Sequence, residues 1–227
     1  MNPAIPFFIS VFFMATTLAT VYLVARLDEK RSLIAWTLVA WLLIQGAVTM
    51  TGFYLATDTI PPRFALLIGP PVLLIVLLLI LPASRTYLLS LSPEKLTWIH
   101  TVRVPVEIAL YWLYMAGQIP EVMTFEGSNY DIFSGLTAPL IVYFGFRKRI
   151  LSRGTLIMWN LLCLLLLANI VTHAILAAPT PFQQIAFDQP NRGVFYFPFS
   201  WLPGFIVPAV LFAHVTSLLQ LISQDHK

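Results

Sequence analysis

Six polar residues recur through one stretch of an otherwise apolar chain: His100, Arg103, Glu107, Tyr111, Tyr114 and Gln118. At 100° per residue they fall within roughly 80° of arc, a single polar stripe along one helix. Charged groups are costly in hydrocarbon, so the stripe must face protein or water. At about 1.5 Å per residue from the inner boundary, Glu107 comes near a bilayer midplane, with Arg103 one turn below it and His100 about another turn down. Arg103 and Glu107, spaced i, i+4, can pair and lower each other's desolvation cost. Pro105 between them removes a backbone donor and frees the Thr101 carbonyl. A kinked helix with such a pair suits a proton relay, a substrate site or a static brace between helices.

His214, late in the last apolar run, reaches roughly the depth of His100 and Arg103. Two histidines at one depth on different helices could ligate haem or a metal. No HxxxH or HExxH spacing occurs, so an interhelical hydrogen bond is the simpler expectation for each. Retinal held as a Schiff base is not expected, because Lys30, Lys95, Lys148 and Lys227 all flank the apolar runs.

A second set maps to the opposite membrane face. Glu121, Glu126, Asn129 and Asp131 lie in PEVMTFEGSNYD, and His173 and Asp188 fall on the same side. Oxygen ligands with one imidazole could hold a divalent cation, which makes Glu121, Glu126, Asp131 and His173 weak metal candidates. The plainer reading is a solvated acidic loop in which Asn129 or Asp131 caps the next helix. Two glycines around the polar run of TFEGSNYDIFSG imply a tightly folded loop.

These residues need a frame, and composition defines it. The chain has 227 residues, 59% hydrophobic and 10% charged, with mean hydropathy +0.84. Soluble domains average about 25% charged residues. A soluble fold of this composition would expose large apolar patches, so an integral membrane protein is expected. The lone Cys163 cannot form an internal disulfide. Nucleic acid is not an expected partner, because the basic residues sit at membrane edges with no patch interleaved with aromatics.

Seven apolar runs, near 4–26, 33–57, 64–82, 96–118, 132–146, 154–178 and 197–222, approach the roughly 20 residues that a membrane crossing needs. The third and fifth are short and contain prolines. No run alternates as a membrane strand would. The expected architecture is a single transmembrane domain over 1–227, an all-α bundle of seven helices. Arg26, Lys30, Arg31, Arg85, Lys95, Arg147, Lys148, Arg149, Arg153 and Lys227 flank one side, against Arg63 and Arg192 on the other. The positive-inside rule then puts the amino terminus outside and the carboxyl terminus in the cytoplasm, as in a bacterial inner membrane. The first run lacks a basic n-region and reads as a retained span.

Segment 83–95 reads as a cytoplasmic connection ending in a helix start: Ser92 at the N-cap, Pro93 at N1 and Glu94 in the first turn. In the outer connection 179–194, Phe182, Ile185, Ala186 and Phe187 suit a bilayer surface. Gln45, Thr49 and Gly52 share one face of helix two; Asn169, Thr172 and His173 share one of helix six. Such faces often simply pack helices.

No GxSxG elbow or phosphate-binding glycine loop is present. The leading functional expectation is a small molecule or ion bound or moved through a polar cavity lined by helix four and open to the outer face. Arg103 would meet an anionic group or hold Glu107 ionised, and Glu107 would respond to protons. The alternatives are a membrane-embedded enzyme acting on a lipid or lipid-linked substrate with the outer cluster, and a non-catalytic subunit. Expected partners are the bilayer, a small-molecule or lipid ligand, and a second copy or another membrane subunit.

Overall fold

The computed structural model describes residues 4–223. Lys227, assigned above to the inner side, lies outside them. Among the described residues the chain is helical, with no strand. Four helices are long and apolar enough to cross a membrane: α1 (Phe7–Ala25), α2 (Arg31–Met50), α8 (Arg153–Leu176), and Leu202–Ser223, whose regular part is α9 (Val207–Ser223).

The third expected run, 64–82, holds one helix and ends at a sharp bend. Helix α3 (Ala65–Ile80) carries Pro70 and Pro71 inside it and ends at Leu81, which is extended and precedes Pro82. A proline pushes its predecessor out of helical conformation. The chain restarts as α4 (Pro82–Ser90), bent by 95° from α3, where a plain connection was expected. Counting this pair as one span gives five candidates.

The stripe helix runs from Pro93 to Met115 in three parts: α5 (Pro93–Ile99), a tighter turn at His100–Val102, and α6 (Arg103–Met115). Ser92 accepts from the Lys95 amide at 3.4 Å and Pro93 opens the helix, which satisfies its first free donors. The tightened turn lies where Pro105 cannot donate to the Thr101 carbonyl. Helix α7 (Ile132–Ile141) continues through a wider turn, Val142–Arg147, and is short.

Packing sorts the helices. Helix α6 lies against α1 and α7, while α9 lies against α5 and α8 and also touches α3 and α4. Apolar side chains such as Phe13, Ile99, Leu113 and Phe199 fill the centre. Much of α2 and α3 instead turns outward, with Trp36, Leu43, Leu73 and Ile80 exposed. Outward-facing apolar side chains of this kind suit lipid rather than water.

Polar side chains tie the bundle together. Thr49 gives its hydroxyl hydrogen to the Gln45 carbonyl at 2.6 Å and accepts from the Ser200 hydroxyl at 2.8 Å, and Tyr54 donates to Gln45 at 2.6 Å, so the polar face of α2 is a packing seam. Gln220 on α9 donates to the Leu88 and Leu91 carbonyls at 2.7 and 2.8 Å, satisfying acceptors at the end of α4.

Candidate functional site

Five ionisable side chains meet in the interior. His100, Arg103, Glu107, Asp131 and His214 are each at most 5% exposed. Arg103 donates from Nη1 to Asp131 at 2.7 Å and to the Cys163 carbonyl at 3.3 Å, and its Nη2 reaches His214 Nε2 at 3.2 Å. The amide of Asn160 fixes the His214 ring. Its Nδ2 donates to the Leu156 carbonyl, so its Oδ1 accepts from His214 Nδ1 at 2.9 Å. Nδ1 therefore carries the hydrogen, and Nε2 accepts from the guanidinium. His100 stacks on His214 with ring centroids 3.9 Å apart and meets the Trp159 ring edge-on at 5.4 Å. Trp159 is held in turn by donating to Thr137 at 2.9 Å. Neither ring nitrogen of His100 has a hydrogen-bond partner.

Glu107 sits one turn above Arg103 but does not pair with it. Both carboxyl oxygens lie near Asn129 Nδ2, at 2.8 and 2.7 Å, and that amide also donates to the Met123 carbonyl at 3.0 Å. Asn129 Oδ1 accepts from the Asp131 amide at 3.1 Å, joining Glu107 to the Arg103–Asp131 pair through one side chain. The i, i+4 pairing expected from the sequence gives way to a cation–carboxylate bond across helices. Asp131 offers a direct 2.7 Å contact to the same guanidinium.

Asp131 reaches Arg103 because α7 begins deep in the bundle. A Cβ on Gly135 would come within 2.9 Å of the Val104 amide nitrogen and 3.2 Å of the Arg103 Cβ, so only glycine permits this approach of α7 to α6. A Cβ on Gly127 would collide with the Glu121 carbonyl, which gives the loop above its tight fold. Asp131 stands at the N-cap position yet its side chain accepts no capping bond. It is neither the solvated loop acid nor the helix cap expected of it.

The remaining candidates separate. Tyr111 and Tyr114 are half-buried, Tyr111 stacking on Phe125 at 5.1 Å and Tyr114 donating to Glu121 at 3.4 Å. Gln118 serves the outer loop: its carbonyl accepts from the Arg192 and Gly193 amides at 3.0 and 2.8 Å. Glu121, Glu126 and Asp188 are exposed, and His173 bonds within its own helix to the Asn169 carbonyl at 3.0 Å. Asn169 donates to the Ser128 carbonyl at 2.8 Å and anchors the same loop. Among the described residues no three His, Cys, Asp or Glu side chains are grouped to hold a metal ion, so Glu121, Glu126, Asp131 and His173 do not form one site.

The expected polar cavity along the stripe is not matched by either of two cavities in the bundle. These, of about 570 Å³ and about 90 Å³, are lined almost wholly by apolar side chains and by none of the five ionisable residues. Asn129, buried with its loop neighbours Met123 and Thr124, covers the Glu107 carboxyl group and is held by the Met123 carbonyl. Sequence reasoning missed Asn160, Trp159, Thr137 and the Cys163 carbonyl. Asn160 was findable, since an amide inside LIMWNLLCLLLL needs a partner.

A helical protein with four helices long and apolar enough to cross a membrane, and a buried polar network among the described residues, is the class these features define. Residues 60–222 match the family described as "Domain of unknown function (DUF8737)", and the chain belongs to that family. No curated protein and no solved structure is detectably similar to it.

Proposed function

We propose that the chain is one transmembrane domain of seven crossings in a bacterial-type inner membrane, amino terminus outside, that binds a small molecule or ion at the buried network and exchanges a proton there. The asymmetry of Lys and Arg supports the orientation. Crossings four and five are the stripe helix and the short α7, whose missing length is supplied by segment 119–131 folding inward. Irregular backbone at membrane depth is tolerated when protein covers it. Ligand entry requires that this segment lift off Glu107.

One observation carries the reading. A single continuous network gathers a guanidinium, two carboxyl groups and two stacked imidazoles, with His100 bonded through neither nitrogen. Helices can be braced with neutral Ser, Thr or Asn, so ionisable groups at this density point to work done with charge. Asn129 links Glu107 to the pair, and Glu107, with no ion pair of its own among the described residues, is the proton-responsive member of this reading. Difference infrared spectra of the protein in nanodiscs, recorded as pH is cycled, should contain a carboxyl C=O band that Glu107→Gln removes while helicity is unchanged. A spectrum with no titrating band, or one that Glu107→Gln leaves intact, refutes it.

A second reading has its own observation. Because all five ionisable side chains are buried and both cavities lie elsewhere, the network can be a rigid bolt joining α6, α7, α8 and α9 in a non-catalytic subunit. A spectrum without a titrating band, together with a large stability loss on breaking the network, selects it.

A further inference from the structure

The smaller cavity, of about 90 Å³, lies among α3, α6, α8 and the outer loops. Helix α3 walls it through Leu67 and α8 through Ala174 and Ala178, while Leu110, Met123 and Asn191 complete the lining that matters here. All of these except Ala174 are at most 2% exposed. Ile175, on the α8 wall, is 38% exposed, so one edge of the cavity comes out at the surface beside that helix. Helix α8 is among the helices apolar and long enough to cross a membrane, and lipid is the solvent that suits such a surface.

Asn191 is the one polar side chain of the lining; every other is apolar and none is charged. Its place is fixed twice over. The Asn191 amide N–H donates to the Ala177 carbonyl at 2.8 Å, and its Nδ2 donates to the Ala174 carbonyl at 3.0 Å. A flipped side chain would set oxygen against oxygen at Ala174, so Oδ1 is the free end of the amide. That oxygen is buried and accepts from no group among the described residues. An unpaired acceptor in the interior is costly, and native folds rarely keep one without a reason.

The lining selects what can fill the space. The volume equals about three waters at about 30 Å³ each, but a buried water needs roughly two to four polar partners, and apolar cavities stay dry. An ion would find no countercharge. A bare hydrocarbon chain would leave Oδ1 unpaired, and an ether or ester offers it only further acceptors, since Nδ2 is already spent. We infer that the cavity seats the hydroxyl end of a lipophilic alcohol, which donates to Asn191 Oδ1 while the alkyl chain leaves past Ile175 along the lipid-facing side of α8. Met123 lines the cavity, and its carbonyl also holds the Asn129 that covers Glu107, so the occupant rests against the same loop. No ionisable side chain takes part, and the site is independent of the role proposed for Glu107.

Photolabelling of the protein in nanodiscs with a hexadecanol that carries a diazirine on its chain, followed by peptide mapping, tests the site. Labelled peptides should come from 170–178 and 191–195. Unlabelled hexadecanol should compete about fivefold better than hexadecyl methyl ether, which has the same chain and no donor. Asn191→Leu should erase that difference. Ala174→Leu puts a side chain into the cavity and keeps the carbonyl that Asn191 needs, so it should lose labelling at both peptides while melting close to the native protein. Equal competition by alcohol and ether on the native chain, or native-level labelling of Ala174→Leu, overturns the proposal.

Discussion

Asp131 offers the sharpest perturbation. Its carboxylate meets Arg103 at 2.7 Å with both side chains almost fully buried, so removing it strands a guanidinium inside the bundle. Removing one member of a buried pair costs about 3–5 kcal/mol, because the surviving charge keeps its desolvation penalty. Asp131→Asn retains an acceptor for Nη1 and belongs near the low end, about 3 kcal/mol. Asp131→Leu loses the acceptor as well and belongs near the high end, about 5 kcal/mol. The remaining bonds of Arg103, to the Cys163 carbonyl and to His214, are to neutral acceptors and do not replace the charge. At about 2–4 °C per kcal/mol for a chain of this length, the two variants should melt roughly 5–20 °C below the native protein.

The double variant Arg103→Met with Asp131→Leu separates lost charge balance from lost packing. It removes the stranded cation and leaves His214 Nε2 without its donor, a penalty of about 1–3 kcal/mol. It should therefore be more stable than Asp131→Leu alone, though below native. Cys163 is the single cysteine of the chain and is buried, so a thiol-reactive fluorophore reads unfolding without added labels. A native-like melting temperature for Asp131→Leu, or a double variant less stable than that single one, would refute this account of the network.

Gly135→Ala should cost about 1–3 kcal/mol in the same assay, since the new methyl meets the Val104 amide nitrogen at 2.9 Å. Gln220→Leu strips two carbonyls at the end of α4 of their donor and should lower the melting temperature by a similar amount, with proteolysis at 82–92 increasing first. The Asp28 carboxyl is held below its ordinary value of 3.8, chiefly by the Lys30 amide and next by Tyr87. A carboxyl held low stabilises the fold above that value and stops doing so as pH falls through its lowered one. The stability difference between the native chain and Asp28→Asn should thus be present at neutral pH and vanish on strong acidification. A difference that grows with acid would reverse the sign of the reasoning.

The parts of the site legible in the sequence are those governed by helical period. His100, Arg103 and Glu107 share a face because 3.6 residues make a turn, and Ser92-Pro93-Glu94 opens a helix for local reasons. Partner choice is not local. Arg103 had Glu107 four residues away and took Asp131, 28 residues away, because tertiary packing decides which carboxylate meets the guanidinium. The stack of His100 on His214 likewise depends on α5 and α9 lying together. Tyr111 and Tyr114 keep the period but leave the interior, since their neighbour there is a loop rather than a helix, and Gln118 falls beyond the end of α6.

The short fifth run and the displaced acid are one feature. A fifth crossing that began at the outer surface would need more residues than Ile132–Arg147 supplies. Gly135 lets α7 start instead at the level of Arg103, which delivers Asp131 to the guanidinium and draws Asn129 down onto Glu107. Lengthening α7 outward would carry Asp131 away from Arg103 by about 1.5 Å per added residue. Gly135, which permits this close start of α7, is therefore what allows the buried charges to be balanced.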